Sequence, residues 1–236
     1  MPRFERARKP EQKELRRRAI LVAARKLARE SGPIELSLNE LGRRSGVSKP
    51  NIYRYFESRE HILFQLYLDE MTEMVEAIES RLQEEPAPLE VTAVARVLAE
   101  EHLRRPLLCQ LAGMASAILE HNMSADAIAA VKVGFAELLP RAIVALRRAL
   151  PWLSEEDAFM VVQSMELQLA ALWPMANPSK AAREVLARPE FSRMCTDANR
   201  DFPRFIEVIL EGLRASPVRG GAGFIPLPPL HITSEA

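Results

Sequence analysis

The segment GVSKPNIYRYF, residues 46–56, constrains the fold of this chain more than any other stretch, because four aromatic or basic side chains follow a proline closely. Two segments with helical spacing of apolar residues precede it, one over residues 11–32 and a shorter one from Ser37 to Gly46. A third short helix is predicted inside the segment, since Pro50 is tolerated in a first helical turn. Three short-linked helices within about 45 residues have the spacing of a helix-turn-helix.

Polar residues are predicted to cap these helices. Ser37 and Glu40 have the S-x-x-E spacing of a capping box, in which each side chain bonds the backbone of the other residue. Ser48 is predicted to cap the third helix, and Gly46 provides the turn before it.

A helical wheel divides residues 49–56 into two faces. Ile52 and Phe56 fall together and are predicted to face the core. The opposite face is small, polar and basic, so it would fit a DNA major groove, with phenols and cations at the phosphate walls. The alternative is that the tyrosines only cover the small domain. The outer face comprises Pro50, Asn51 and Arg54; Lys49 and Tyr53 flank it on one side, and Tyr55 flanks it on the other.

The charge of the chain is unevenly distributed, although its formal net charge is zero. Residues 1–60 contain sixteen Lys and Arg against eight Asp and Glu, whereas residues 61–236 contain sixteen basic and twenty-four acidic residues. A basic region is attracted to a polyanion, and an acidic region is not. The two regions are therefore predicted to have different tasks.

The stretch LNELGRRSGVSKPNIYRYFESREHIL resembles the DNA-binding signature of the TetR family of transcriptional regulators. The resemblance implies that Tyr53, Tyr55 and Arg59 contact phosphates. Residues of the second helix would contact the DNA backbone or a base, and residues of the third helix would contact bases. Arg54 departs from the residues common at its position, and it would bind either guanine or phosphate. The DNA-binding residues implied in this way are Ser37, Asn39, Ser48, Lys49, Pro50, Asn51, Tyr53, Arg54, Tyr55 and Arg59.

The remainder of the chain is also predicted to be helical, which makes the fold all-α. A long helix begins at Ser58, and no strand-like alternation appears. We expect a helix-turn-helix domain at 1–60 and a helical effector-binding and dimerisation domain at 61–215. Residues 216–236, rich in proline and glycine, are expected to be a mobile tail or to dock on the body or on the partner subunit. Further helices are predicted at 89–104, 107–120, 124–149, 154–173 and 202–213.

Two of these helices are apolar on more than one face, namely those near 154–173 and 202–213. The resemblance implies that they pair with a second copy to form a homodimer, and a thicker monomeric core is the alternative. The resemblance also implies a small-molecule effector in a pocket beside the long helix, although its candidate residues would equally suit ordinary core. These candidates are Phe64, Tyr67, Met71, His102, Met114, Ile118, His121, Phe135, Met160, Gln163, Glu166 and Trp173.

Several classes of protein are disfavoured by the sequence. It contains no run of apolar residues long enough for a membrane span, and its charged start is unlike a secretory signal. Cys109 and Cys195 have no metal-like spacing, so we expect reduced, buried thiols in the cytoplasm and no cofactor. No common catalytic motif is present, and an enzyme would leave the basic region without a purpose.

The sequence thus predicts a cytoplasmic regulator that binds a double-stranded DNA operator. We expect a repressor that an unidentified small molecule releases from a near-palindromic site. The alternative is a DNA-binding protein that acts structurally or responds to a protein partner. The basic extension at residues 1–12 is either a solvated tail or an arm for the minor groove.

Overall fold

The computed structural model describes residues 10–84 and 86–215, and within these ranges it contains ten α-helices and no β-strand. Residues 1–9 of the N-terminal arm and the C-terminal tail lie outside the described residues, whereas residues 10–12 belong to the first helix. The helices in chain order are α1 (Pro10–Ser31), α2 (Leu38–Ser45), α3 (Lys49–Ile52), α4 (Arg59–Gln83), α5 (Val91–Leu103), α6 (Pro106–Ala112), α7 (Ala125–Ala149), α8 (Glu155–Ala176), α9 (Lys180–Leu186) and α10 (Ala198–Ala215).

Helices α1 to α3 form the predicted helix-turn-helix. Leu41, Ile52 and Phe56 are almost completely buried against the apolar face of α1, as the wheel predicts. Gly46 ends α2 in the left-handed conformation, with φ 69°, which a side chain with a Cβ adopts at a cost. The turn between α2 and α3 therefore depends on this glycine.

The predicted capping box does not form. Ser37 is the N-cap residue of α2, but its side chain makes no capping hydrogen bond. The Glu40 carboxylate instead accepts hydrogen bonds from Arg43 and Arg44, one turn further along the helix. Two guanidinium donors outcompete one backbone N–H for this carboxylate because charge-assisted hydrogen bonds are the stronger ones. Ser48 likewise occupies the N-cap of α3 without a capping bond.

The long helix α4 begins where the sequence predicts. The Ser58 hydroxyl accepts a hydrogen bond from the backbone N–H of His61 and so caps the helix. On one side α4 contacts α1, where buried Glu70 pairs with Arg25 and Arg29. Along the rest of its length it packs into the second group of helices, chiefly against α7.

The remaining helices surround α4. Helix α10 packs against α5 and α8, and α7 lies between α4 and α8. At Gly134 of α7 a Cβ atom would overlap the side chain of Leu68, so these two helices approach closely at this point. None of the helices in the described part of the chain combines the length and apolar composition that a membrane crossing needs.

Three predictions about this region were wrong. The helix expected over 107–120 ends at Ala112 and is followed by a π-helical turn, Ala115–Leu119, and a short 3₁₀ turn. Residues 180–186 form α9, and 189–194 form a 3₁₀ helix, although no helix was predicted there. Cys109 is buried as expected, but Cys195 is exposed in the irregular segment after the 3₁₀ helix.

Candidate DNA-binding surface and internal cavity

The outer face of α3 and of the turn that follows it presents polar and basic side chains to solvent. Lys49, Asn51 and Arg54 are exposed, whereas Ile52 between them is buried. The side chains of Lys49 and Arg54 make no hydrogen bond or ion pair with another described residue. An ammonium and a guanidinium on a narrow helical face suit the acceptor atoms of guanine and the phosphates beside it.

The two tyrosines differ in their surroundings. The side chain of Tyr53 is 49% exposed, whereas Tyr55 is half-buried and packs against the core of the domain. Tyr53 therefore offers its hydroxyl freely, and Tyr55 is held by packing.

The other residues implied in DNA contact lie on the same domain, and they differ in whether their side chains already make hydrogen bonds. Ser37, Asn39 and Ser48 are exposed, and the two serine hydroxyls are left available because they make no capping bonds. Arg59 is already occupied: its Nη1 donates to the Ile34 carbonyl at 3.0 Å, and its Nη2 donates to Glu60 at 2.8 Å. A phosphate contact from Arg59 would have to share or replace these bonds.

A cavity of about 650 Å³ lies among α4, α5, α6, α7 and α8. Its size is in the range of small-molecule sites, roughly 300–1,000 Å³. Seven of the twelve candidate ligand residues line it: Phe64, Tyr67, Met71, His102, Phe135, Gln163 and Glu166.

The other five candidates lie elsewhere. Ile118, His121 and Met160 are exposed, Met114 belongs to the core, and Trp173 is half-buried against that core. Helix α8 is apolar around most of its circumference, so its sequence does not fix which side faces the cavity.

Several lining residues were not among the candidates. Met74, Val75 and Ile78 of α4 line the cavity one and two turns beyond Met71. Their signal was present, since they continue the apolar stripe of α4 at helical spacing. The contributions of Leu98, Leu139 and Phe159 from three other helices depend on packing, and no local pattern indicates them.

Aromatic rings form one wall of the cavity. The ring centroid of Phe135 lies 5.6 Å from that of Phe64 and 5.2 Å from that of Tyr67. The Phe135 ring comes from α7 and the other two from α4, so this cluster joins the two helices. Such a wall attracts apolar and aromatic ligands.

A polar group interrupts the apolar lining. The Tyr67 hydroxyl donates to Glu166 Oε2 at 2.9 Å, and His102 Nε2 lies 3.4 Å from Glu166 Oε1. Burial, followed by the nearby Glu166 charge, raises the pKa of Tyr67 well above its usual value. The Tyr67 side chain therefore remains a neutral donor. Burial also raises the pKa of the Cys109 thiol, to about 12, so this cysteine is an unreactive neighbour.

In the ranges that the structure describes, no three His, Cys, Asp or Glu side chains gather as a metal site would need. The geometry instead combines an exposed basic helix with an apolar cavity that has one polar spot.

Comparisons with known proteins cover nearly the whole described chain. Residues 20–66 match the family model of bacterial regulatory proteins of the tetR family. Residues 68–217 match the model of the Tetracyclin repressor-like C-terminal domain. Comparison with curated proteins gave no match.

Solved structures share the fold at low sequence identity. The fatty acid degradation regulator FadR from Bacillus halodurans is 16% identical, with a TM-score of 0.52 over 84% of this chain and 96% of that chain. A TetR transcriptional regulator from Rhodococcus sp. RHA1 is 19% identical, with a TM-score of 0.52 over 86% of this chain and 99% of that chain. The fold and the family models are those of regulators rather than enzymes. The chain belongs to the TetR family of DNA-binding, helix-turn-helix transcriptional regulators.

Proposed function

We propose that this protein is a homodimeric repressor that leaves a near-palindromic operator when a small molecule occupies the cavity. The observation that supports this proposal is that α4 contacts both the cavity and the DNA-binding domain. One face of α4 lines the cavity through Phe64, Tyr67 and Met71, and another contacts α1 through Glu70. A ligand that moves α4 would therefore move the DNA-binding domain with it.

The DNA contacts follow from the exposed side chains. Lys49, Pro50, Asn51 and Arg54 would lie against base edges in the major groove, with Tyr53 on a phosphate. Contacts with the DNA backbone would come from Tyr55, Arg59 and Ser48. Ser37 and Asn39, exposed at the start of α2, would contact the DNA backbone or a base. The basic charge of residues 1–60 would supply affinity that does not depend on sequence.

The proposed dimer uses α8 and α10. Each presents large apolar side chains to solvent on neighbouring surfaces: Leu167 and Met175 on α8, and Phe205 and Val208 on α10. Covering these side chains with a second copy would remove apolar surface from water. A two-fold dimer would set its two α3 helices about 34–36 Å apart, or a multiple of this, to match successive turns of DNA.

A second connection supports coupling between the domains. Glu57, just beyond α3, accepts hydrogen bonds from the N–H and the hydroxyl of Ser124 at 3.1 Å and 2.8 Å. Ser124 caps α7, and the irregular segment before it contributes Ala115 and Glu120 to the cavity wall. The proposed boundary at residues 60 and 61 lies in the first turn of α4, so α4 and this contact would both join the two domains.

The size of the required effect can be bounded. To change the operator-competent fraction from 99% to 1%, the effector must bind the other state more tightly by about 5.5 kcal/mol. We expect the protein to act in the bacterial cytoplasm, where operator and effector are both accessible.

The test is a binding titration on DNA that flanks the protein's own gene, with scrambled DNA of equal length as control. Selective binding with a protected near-palindrome is expected, and it should weaken steeply with salt. Equal, weak and salt-dependent binding to both DNAs would contradict the operator at this locus. Selective binding that no compound filling the cavity ever weakens would instead favour a structural or protein-controlled role.

A further inference from the structure

We propose that the effector is an organic cation, an apolar molecule with a single positive charge that it places beside Glu166. This inference rests on the proposed function in one respect, since it takes the cavity as the effector site. It adds the charge and the position of the ligand's polar end.

Glu166 has no permanent cation beside it. Its side chain is 24% exposed within the cavity, where Oε2 accepts a hydrogen bond from Tyr67 and Oε1 faces His102. Among the described residues, no Lys or Arg comes within ion-pair distance of this carboxylate. A carboxylate in an apolar cavity carries a large desolvation cost unless an opposite charge joins it.

The buried acidic side chains in the described part of this protein each have a compensating charge or helix N-terminus nearby. Glu101 is paired with three arginines: Arg81, Arg104 and Arg105. Glu70 is paired with Arg25 and Arg29. Buried Asp157 lies in the first turn of α8, where the helix N-terminus favours negative charge. Glu166 lacks both kinds of compensation.

His102 is the titratable partner of Glu166. Its Nδ1 lies 2.6 Å from the Leu98 carbonyl oxygen, which can only accept, so Nδ1 carries a proton. Its Nε2 lies 3.4 Å from Glu166 Oε1, and it pairs with the carboxylate as a cation only when the ring carries a second proton. A ligand ammonium at this carboxylate would supply a positive charge that does not depend on the His102 ring.

The rest of the cavity also favours a cation. Lys132 at the wall is paired with Glu120 at 2.8 Å, so the lining contains two carboxylates against one ammonium. The Phe64, Tyr67 and Phe135 rings lie close to the same spot, and aromatic faces attract cations. An anionic ligand would meet the like charge of Glu166 at the polar spot.

Three probes of one shape separate charge from apolar fit: 6-phenylhexylamine, 6-phenylhexanol and 6-phenylhexanoate. Calorimetric titration of the full chain without DNA is expected to rank them in that order. The amine should bind roughly tenfold more tightly than the alcohol, the size expected of one charge-assisted hydrogen bond.

Glu166→Gln keeps the shape and the acceptor for Tyr67 but removes the charge. It should remove about tenfold of the amine affinity while changing the alcohol affinity less than about twofold. Glu137→Gln is the matched control, since Glu137 is exposed on α7 and does not line the cavity. It should leave all three affinities unchanged.

Several results would overturn the proposal: tighter binding of the hexanoate, equal binding of amine and alcohol, no binding of any probe, or an unchanged amine affinity in Glu166→Gln. The probe ranking in the wild-type chain decides the matter even if the variant does not fold. Operator binding measured with each probe separates the two proposals. If the cavity binds 6-phenylhexanoate more tightly than the amine, and 6-phenylhexanoate releases the protein from its operator, only the proposal of a cationic effector is contradicted. Glu166-dependent amine binding that never releases DNA contradicts only effector control.

Discussion

Lys49 at the start of α3 and Tyr53 at its C-terminal end are expected to make different kinds of contact with DNA. Tyr53→Phe removes one phenol hydroxyl from a phosphate contact, so it should weaken binding to all sequences alike, by about 1 kcal/mol for each half-site. Lys49→Ala removes a base-reading ammonium, so it should change the preference among operator variants by about 1–3 kcal/mol. Titrations on a panel of single-base operator variants measure both effects. Equal loss of preference from the two substitutions would contradict this division.

Glu70 shows how one buried residue attaches the DNA-binding domain. It is 1% exposed on α4 and pairs with Arg25 and Arg29 of α1. Glu70→Gln leaves these guanidinium groups without their shared charge, so we expect the free energy of unfolding to fall by about 2–3 kcal/mol. Urea denaturation measures the loss.

Glu73 supplies the matched control for Glu70. It also bonds Arg25 from α4, but its side chain is 47% exposed. Water screens such a pair, so Glu73→Gln should cost less than about 1 kcal/mol. Equal losses in the two variants would show that burial of Glu70 contributes nothing beyond an ordinary surface pair.

At the scale of elements, sequence patterns correctly predicted those helices and turns that depend on interactions between residues close in sequence. The helix-turn-helix was predicted because Ile52 and Phe56 need one buried face and Gly46 fits a left-handed turn. The capping box failed because Arg43 and Arg44 compete for Glu40, a contest that the S-x-x-E spacing does not reveal. The end of α6 was missed; a Cβ atom at Gly113, the residue after α6, would lie 3.2 Å from the Ala170 carbonyl oxygen of α8, a neighbour distant in sequence that no local pattern reveals.

The start of α7 joins two elements through a single serine. Ser124 caps α7 by accepting from the Ala127 N–H, and it also donates to Glu57. Its hydroxyl and backbone hydrogen bonds lower the pKa of Glu57. Ser124→Ala should therefore cost about 1 kcal/mol of stability as a lost cap and raise the pKa of Glu57 toward its usual value. Carboxyl carbon shifts followed through a pH titration report that pKa.

Ser154 is the control for the pKa, since it caps α8 without touching Glu57. Its hydroxyl also donates to buried Asp157, so Ser154→Ala should cost at least as much stability and leave the pKa of Glu57 unchanged. A pKa shift in both variants would contradict the specific link. Because the pKa of Glu57 is lower in the folded protein than in the unfolded chain, the stabilisation is complete above the unfolded pKa. It is lost as the pH falls through the folded pKa.

At the scale of the whole molecule, the cavity and the proposed dimer face meet on α8. Leu167 lines the cavity and is 69% exposed, and Gln163, one turn earlier, is likewise exposed at the cavity. A partner copy seated on this face would border the cavity opening. Sequence patterns indicated that α8 has two apolar faces. They could not show which face lines the cavity and which is exposed, because this depends on how α7 and α10 pack around α8.

Leu167 therefore tests the assembly. Leu167→Asp places a charge on an exposed site of one subunit, so its thermal stability should change little, but a buried, unpaired carboxylate would disfavour the dimer. We expect sedimentation to show a shift to monomer at micromolar concentration and operator affinity to fall at least about tenfold, since one DNA-binding domain replaces two.

Val144→Asp is the control for this substitution. Val144 is 65% exposed on α7 and lies beside α4 residues such as Glu79, away from α8 and α10. It should leave the dimer and the operator affinity intact. A Leu167→Asp protein that stays dimeric and binds its operator as the wild type does would place the interface on another face. The two DNA-binding domains would then be coupled through elements other than α8.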